Sequence, residues 1–342
     1  LNRPLDIKTG HVDMSHGAGG RAMAQLIEEL FVGSFDNEML NREHDAALFD
    51  LPPGRVVMST DSFVISPIFF PGGDIGSLAV HGTVNDVAMG GGIPKYLTAG
   101  FILEEGFPLS DLAAIVTSMA MAAKEANVAI VTGDTKVVEK GHGDGIYINT
   151  AGIGVVPDGV EVCGDRARPG DLILVNGTLG DHGVAVMSRR ENLSFTTEIL
   201  SDSQALNGLV EEMLKAVPDM RVLRDPTRGG LGATLNEIAN QSGVGIELDE
   251  LSLPVRPEVK SACELLGLDP LYVANEGKLI AICKPEDAEQ LLTVMQSHPR
   301  GKDAAIIGRV LEDDRCFVRM KTGLGGTRMV DWMAGEQLPR IC

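Results

Sequence analysis

Apolar residues recur at helical spacing through Met23, Leu26, Ile27, Leu30 and Phe31, which predicts a helix behind a loop-like His16-Gly17-Ala18-Gly19-Gly20. A short strand at 56–58 ends in Ser59-Thr60-Asp61. Residues 75–89 read as a helix dense in small side chains (Gly76, Ala79, Gly82), which allows close backbone packing. Ser110 is an N-cap candidate for a helix repeating Leu112, Ile115, Val116, Met119 and Ala123. The buried-type run 128–131 reads as a strand ending at Thr132-Gly133-Asp134, and 146–153 as another.

Residues 156–170 are rich in proline, glycine and charge and read as a domain boundary. Beyond them a second mixed set is predicted. Its strands lie at 172–175, 222–223, 245–248 and 279–282, and its helices at 206–217, 231–241, 257–266 and 286–297. The fold class is therefore α/β (α+β), two sandwich domains with a polar C-terminal tail. The division is a glycine-rich N-terminal segment and helix (1–44), a first domain (45–156), a second (170–330) and a mobile tail (331–342). Strands this short do not decide between parallel and antiparallel pairing.

Length and charge narrow the function. A chain of 342 residues suggests about two domains. Its net charge of −19 repels phosphate backbones and anionic lipids, so nucleic acid and membrane are excluded as expected partners. Any small anion would need a local device such as a metal ion, a lysine or backbone N–H groups. The cysteines (Cys163, Cys263, Cys283, Cys316, Cys342) form no CxxC and are too sparse for a disulfide scaffold. No leader or membrane-spanning run is visible, which fits a cytoplasmic protein.

Several aspartates stand in strand-end or glycine-rich contexts: Asp45, Asp61, Asp86, Asp134 and Asp225. Carboxylates that converge repel one another unless a hard cation lies between them, and Mg²⁺ commonly bridges such groups to substrate phosphates. Taken singly, each aspartate is equally well a cap or turn residue. The glycine-rich segments 16–20, 89–92 and 228–230 match neither the Rossmann nor the P-loop spacing. Cys342 lies beyond Pro339 on a polar stretch, where ten extended residues reach roughly 33–36 Å. Lys136 and Glu276 are proton-transfer candidates if they face a cleft.

Taken together these segments resemble one family, the HypE carbamoyl dehydratases of hydrogenase maturation, within the aminoimidazole ribonucleotide synthetase and selenophosphate synthetase superfamily. The resemblance rests on HGAGG (16–20), the stretch 59–76, NDVAMGG (85–91), ILEEG (102–106), VTGDTKVV (131–138), GTLGDHG (177–183), RDPTRGG (224–230), NEGK (275–278) and PRIC (339–342). It implies two α/β domains, a two-fold homodimer through the first domain, and an ATP cleft near that interface. It also implies that Cys342 accepts a carbamoyl group from the carbamoyltransferase HypF. An ATP-dependent dehydration then yields a thiocyanate, and cyanide passes to iron held by HypC and HypD.

By this similarity Asp45, Asp61, Asp86 and Asp225 are expected to hold Mg²⁺. Expected around ATP are His16, Gly17, Gly19, Gly20, Asp61, Asn85, Asp134, Thr135, Arg228 and Gly229, while Cys342, Glu276 and Lys136 carry the chemistry. Asp45 stands in HDAA where DDAA is expected. Two other readings remain: a superfamily kinase or synthetase acting on a free small molecule, and a nucleotide-gated maturation scaffold. Neither requires the thiol of Cys342.

Overall fold

The computed structural model of the chain describes residues 4–42, 46–193, 198–333 and 338–342. After a 3-10 turn at Met14–Gly17, helix α1 (Arg21–Leu26) runs through a π-helical stretch, Ile27–Val32, into the short α2 (Gly33–Phe35). Strand β1 (Arg55–Phe63) and the small hairpin β2 (Phe69–Phe70) and β3 (Gly73–Asp74) lead to α3 (Ile75–Met89). Next come β4 (Ile93–Glu104), α4 (Leu109–Glu125), β5 (Ala129–Val138) and β6 (Ile146–Val156).

Among the described residues these strands form a four-stranded sheet in the order β1-β6-β4-β5, antiparallel except for β4 beside β5. Asp74 caps α3, its carboxylate accepting from the N–H of Gly76 (2.7 Å) and of Ser77 (3.2 Å). Nearly every residue of α3 is buried, because the helix packs against the sheet and α4, and against the second half of the chain. The small residues permit that approach: a Cβ on Gly76 would lie 2.4 Å from the carbonyl oxygen of Ile115 on α4.

The second half begins with β7 (Leu172–Val175); residues 157–171 carry no helix or strand. Helix α5 (Asp181–Arg190) follows, then α6 (Asn207–Ala216), β8 (Val222–Arg224), α7 (Gly230–Ser242) and β9 (Gly245–Asp249). The remainder is α8 (Pro257–Leu266), β10 (Ile280–Cys283), α9 (Ala288–Ser297), β11 (Ala305–Leu311), β12 (Val318–Lys321) and β13 (Thr327–Met329). A seven-stranded sheet, β13-β12-β9-β11-β7-β10-β8, has β12 parallel to β9 and its other pairs antiparallel. Helices α6 and α9 cover one face and α7 the other. No helix among the described residues is long and apolar enough to cross a membrane.

The structure moves several predicted boundaries. Pro108, with φ at −64°, is the N-cap of α4, so the helix starts ahead of Ser110. Thr132-Gly133-Asp134 does not end β5 but lies in mid-strand. A Cβ on Gly133 would sit 2.2 Å from the carbonyl oxygen of Ala99, beside a shift in the β4–β5 register, so this glycine permits a close strand approach rather than a turn. Likewise Asp61 lies inside β1, because pairing with β6 continues to Phe63. Strand β4 was hidden by Pro94 and Gly100; the proline stands at an irregularity in the pairing with β6.

One sheet face is left uncovered by helices. Paired positions place Met58, Thr60 and Ser62 of β1 on it with Ile153, Ala151 and Asn149 of β6, and further along Ile102 of β4 and Lys136 of β5. Met58 is 70% and Ile102 44% exposed, an apolar surface that water covers in one chain.

Gly76→Ala is expected to lower stability by about 2–3 kcal/mol, since a backbone carbonyl cannot yield to the new methyl. The helical Gly33→Ala, whose Cβ would meet its nearest neighbour at 3.6 Å, should be neutral or stabilising. Urea midpoints of the two variants check the pair, and equal midpoints would mean the α3–α4 contact has slack.

Candidate active site

The tail returns to the body of the protein. Ile341 pairs with Ile65 as an antiparallel bridge, the Val64 N–H donating to the Cys342 carbonyl and the Ser66 N–H to the Arg340 carbonyl, each at 3.2 Å. Leu338 and Ile341 are buried in a core shared by the first half and by α5 and α8 of the second. Cys342 thereby reaches a cavity of about 30 Å³, with Asp61, Asp86, Asp225, Arg228 and Glu276 in its walls.

Glu276 is held by the backbone around it. It lies in the loop before β10, beside Asn275, whose side-chain oxygen accepts from the Gly180 N–H (2.8 Å) and whose amide donates to Pro226 O (2.9 Å) and Val273 O (3.1 Å). One buried amide thus ties three loops together. The Glu276 N–H donates to Asp202 (3.0 Å), and Asp202 is paired with Lys278 at 2.8 Å, both side chains nearly without solvent. Burial opposes the charge of Asp202, but Lys278, His182 and the Glu276 N–H together outweigh it and hold the carboxyl below its usual range. At Gly277 a Cβ would fall 1.8 Å from the Asp202 carbonyl oxygen, so the turn accepts glycine alone.

The electrostatics of the pair follow. Burial, then the charges of Asp202, Asp225 and Asp61, push the Glu276 carboxyl well above its ordinary value; its hydrogen bond with Cys342 is the opposing influence. Burial and then Glu276 raise the Cys342 thiol above its usual range, against the pull of Arg228. The surroundings thus favour the neutral form of both thiol and carboxyl. Glu276 Oε1 is buried without a hydrogen-bond partner, an orphan acceptor beside the cavity.

Asp61, Asp86, Asp225, Thr227 and Arg228 are shared with a larger open cleft of about 640 Å³, which extends toward Cys163 and Glu237. Its volume suits a nucleotide-sized ligand. Asp225 is pushed up to about 7, by burial first and then by Asp86. Asp86 is raised by burial, against a 2.7 Å hydrogen bond from Ser59, and Asp61 by burial, against the Ser62 N–H and Arg228. Three crowded carboxyls that resist ionising make a site short of positive charge. Gly229 (φ +80°) and Gly230 (φ +61°) turn the chain into α7, the Gly230 N–H donating to the Thr227 carbonyl at 3.0 Å.

The other predicted residues gather elsewhere. His16 is buried in its turn, accepting from the Asp13 N–H at 3.1 Å, and Gly17 lies against Val137 of β5. Asp134 and Lys136 form an exposed pair at 3.4 Å on β5, with Thr135 buried between them. β5 and β1 are opposite edges of a four-stranded sheet, so this group stands about 14 Å from the strand bearing Asp61. Lys136 and Cys342 are therefore not neighbours within one chain, and His16, Gly17, Gly19 and Gly20 do not line the acidic cleft.

Asn85 is a further correction. Its amide donates to Gln204 O and Glu276 O and accepts from the Leu206 N–H, so it braces the floor of the site rather than facing it. Asp45 lies outside the described residues. Sequence reasoning missed Asn275, Asp202 and Lys278. The first and last stand in the quoted NEGK, whereas Asp202 sits in an unpatterned stretch with no signal.

Comparison with known proteins bears on this geometry. Profiles of AIR synthase related proteins match the chain at residues 43–156 (N-terminal domain) and 168–321 (C-terminal domain). A carbamoyl dehydratase HypE from Azotobacter vinelandii is 67% identical over 338 residues, 99% of each chain. A crystal structure of the hydrogenase maturation protein HypE in complex with ATP is 52% identical and superposes with a TM-score of 0.93 over 96% of this chain and 99% of that one. A chain in a HypE–HypF complex is 54% identical, with a TM-score of 0.80 over 90% of this chain and 99% of that one. A cysteine–glutamate pair beside an acidic cleft, on a fold and sequence shared end to end with these proteins, places the chain in the HypE family of carbamoyl dehydratases.

Proposed function

We propose that the chain uses ATP to dehydrate a carbamoyl group carried on Cys342 to a thiocyanate, the source of cyanide for a [NiFe]-hydrogenase iron centre. The observation that carries this reading is the docked position of Cys342, against Glu276 and beside Asp61, Asp86 and Asp225. A kinase acting on a free small molecule, or a scaffold, has no use for a thiol in that place.

An S-carbamoyl group, S–C(=O)–NH₂, cannot expel oxide. Transfer of the γ-phosphoryl group to its carbonyl oxygen breaks the terminal P–O bond of ATP, releases ADP and frees one N–H proton. Breaking the C–O bond then releases phosphate, and loss of the second N–H proton closes C≡N. The surroundings that raise the proton affinity of Glu276 make its ionised form a stronger base, and Glu276 adjoins the sulfur proposed to bear the reacting group. Arg228 sets a positive charge where phosphoryl oxygens would collect.

Asp61, Asp86 and Asp225 offer the hard oxygen donors that Mg²⁺ prefers, and a cation held between them would offset the burial and mutual repulsion that raise their proton affinities. Among the described residues no three His, Cys, Asp or Glu close a cage by themselves, so phosphate oxygens and water would complete the shell. Mg²⁺ would neutralise charge that develops during phosphoryl transfer.

Two-fold pairing through the uncovered sheet face is part of the proposal. It is supported by the exposed Val56, Met58 and Ile102, and by Lys136 on the same face. Such pairing offers a route by which Lys136 of the partner subunit, with Asp134 and the glycine-rich turn, could border the nucleotide. The HypE–HypF complex of a relative supports a carbamoyltransferase as donor; HypC and HypD as cyanide acceptors and a cytoplasmic setting rest on the resemblance alone.

With HypF, carbamoyl phosphate and ATP, intact-mass analysis of Glu276→Gln should show carbamoylated protein that does not go on to thiocyanate, since an amide is a far weaker base. Cys342→Ala should carry neither adduct. Normal thiocyanate formation in Glu276→Gln would remove Glu276 from the chemistry.

Asp225→Asn should lose ATP turnover yet stabilise the ligand-free fold. A carboxyl whose folded pKa is raised costs stability increasingly as pH climbs from its unfolded value of 3.8 toward about 7, and no further above that. The variant's advantage should therefore grow between pH 4 and pH 7 and level off by pH 8 at up to about 4 kcal/mol. Denaturation across this range checks it; a pH-independent difference would mean Asp225 titrates normally.

A further inference from the structure

Every carbonyl from Pro339 to Cys342 has a donor, and two of the donors come from opposite ends of one helix. Arg190, the last residue of α5, donates Nη1 to Pro339 O (2.9 Å) and Nη2 to Arg340 O (2.8 Å). The same guanidinium gives Nε (2.9 Å) and Nη2 (2.6 Å) to Ser66 O, on the segment the tail pairs with. At the other end of α5, His182 Nε2 lies 2.8 Å from Ile341 O and Nδ1 lies 2.8 Å from Ser201 Oγ.

A carbonyl can only accept, so Nε2 carries the proton and the Ser201 hydroxyl donates to Nδ1. His182 has no solvent exposure, and burial lowers its affinity for a second proton. Were the tail to leave, the Nε2–H would stand unpaired in a dry site unless water followed. Arg340 adds an ion pair with Asp144. None of these contacts touches the Cys342 sulfur or the cleft.

We propose that His182 and Arg190 are positioning residues forming a backbone latch, which holds the tail with Cys342 in the dehydration cavity and sets its residence there. The proposal rests on the reading of Cys342 as the carbamoyl carrier. Because the latch grips backbone atoms alone, it holds a free, a carbamoylated and a cyanated cysteine alike. Loading by an external enzyme requires it to open, and dehydration requires it to close. Weakening the latch should move the two half-reactions in opposite directions, which general destabilisation would not do.

The test uses Arg190→Met, which keeps the apolar stem, Arg190→Lys, which keeps the charge but not the fork, and His182→Phe. Full-length variants are treated with iodoacetamide, and each cysteine is followed by peptide mass spectrometry, with exposed Cys163 as internal reference. Arg190→Met should alkylate Cys342 about tenfold faster than the parent at equal Cys163 labelling, with Arg190→Lys in between. In coupled assays with HypF, Arg190→Met should be carbamoylated at least as fast as the parent, yet form thiocyanate about tenfold more slowly, with ATP affinity unchanged. His182→Phe should shift both readouts the same way, if more modestly.

Unchanged Cys342 labelling in Arg190→Met and His182→Phe, or loading and dehydration falling together with ATP affinity, would overturn the latch. Faster labelling in a protein whose parent forms no thiocyanate would uphold the latch while sinking the function it was argued to serve.

Discussion

Docking of the last residues against the segment 64–66 is the constraint on which the site depends. Cys342 lies at the end of a polar stretch, and only the strand-like pairing of Ile341 with Ile65, with burial of Leu338 and Ile341, carries its sulfur to Glu276. The docking surface is made jointly by the first half, through Val64 to Ser66, and by the second, through α5. A rearrangement between the halves would change the tail's place as well as the cleft's.

The second organising feature is an excess of negative charge in a small volume. Asp61 raises the proton affinity of Asp86, Asp225 and Glu276, Asp86 that of Asp225, and Asp225 that of Glu276, while Arg224 and Arg228 are the opposing cations. Such a cluster costs stability in the empty protein, and natural sequences keep such costs where function needs them. Here the raised proton affinity of the Cys342 thiol lowers its thiolate fraction and so its reactivity toward adventitious electrophiles. The buried Lys278–Asp202 pair fixes the backbone of Glu276, and the charge of Asp202 adds to its raised proton affinity.

Much of this was legible in the sequence, and the failures have physical causes. Helix α3 was read as a helix dense in small residues, and its glycines correctly signalled close packing. Strands β1 and β5 were cut short because Thr-Asp and Thr-Gly-Asp look like turns, whereas long-range pairing with β6 and β4 carries the strands through them. Asp61, Asp86, Asp225, Glu276 and Cys342 were named from the chain and converge in space. Asn85 was named for the nucleotide but braces backbone, a distinction that spacing cannot make. Lys136 and the 16–20 turn lie across the sheet, a separation set by strand order. Helix α5 was not predicted at all, and it carries both residues that grip the tail.

The account stands on dehydration through a phosphorylated carbonyl oxygen at Cys342, and the fate of that oxygen tests it most directly. Protein carbamoylated on Cys342 with ¹⁸O in the carbonyl would be isolated and given ATP, and the inorganic phosphate and water analysed for label. The account predicts one ¹⁸O per thiocyanate in inorganic phosphate, with none in ADP. Label released to water while thiocyanate forms on Cys342 would contradict it.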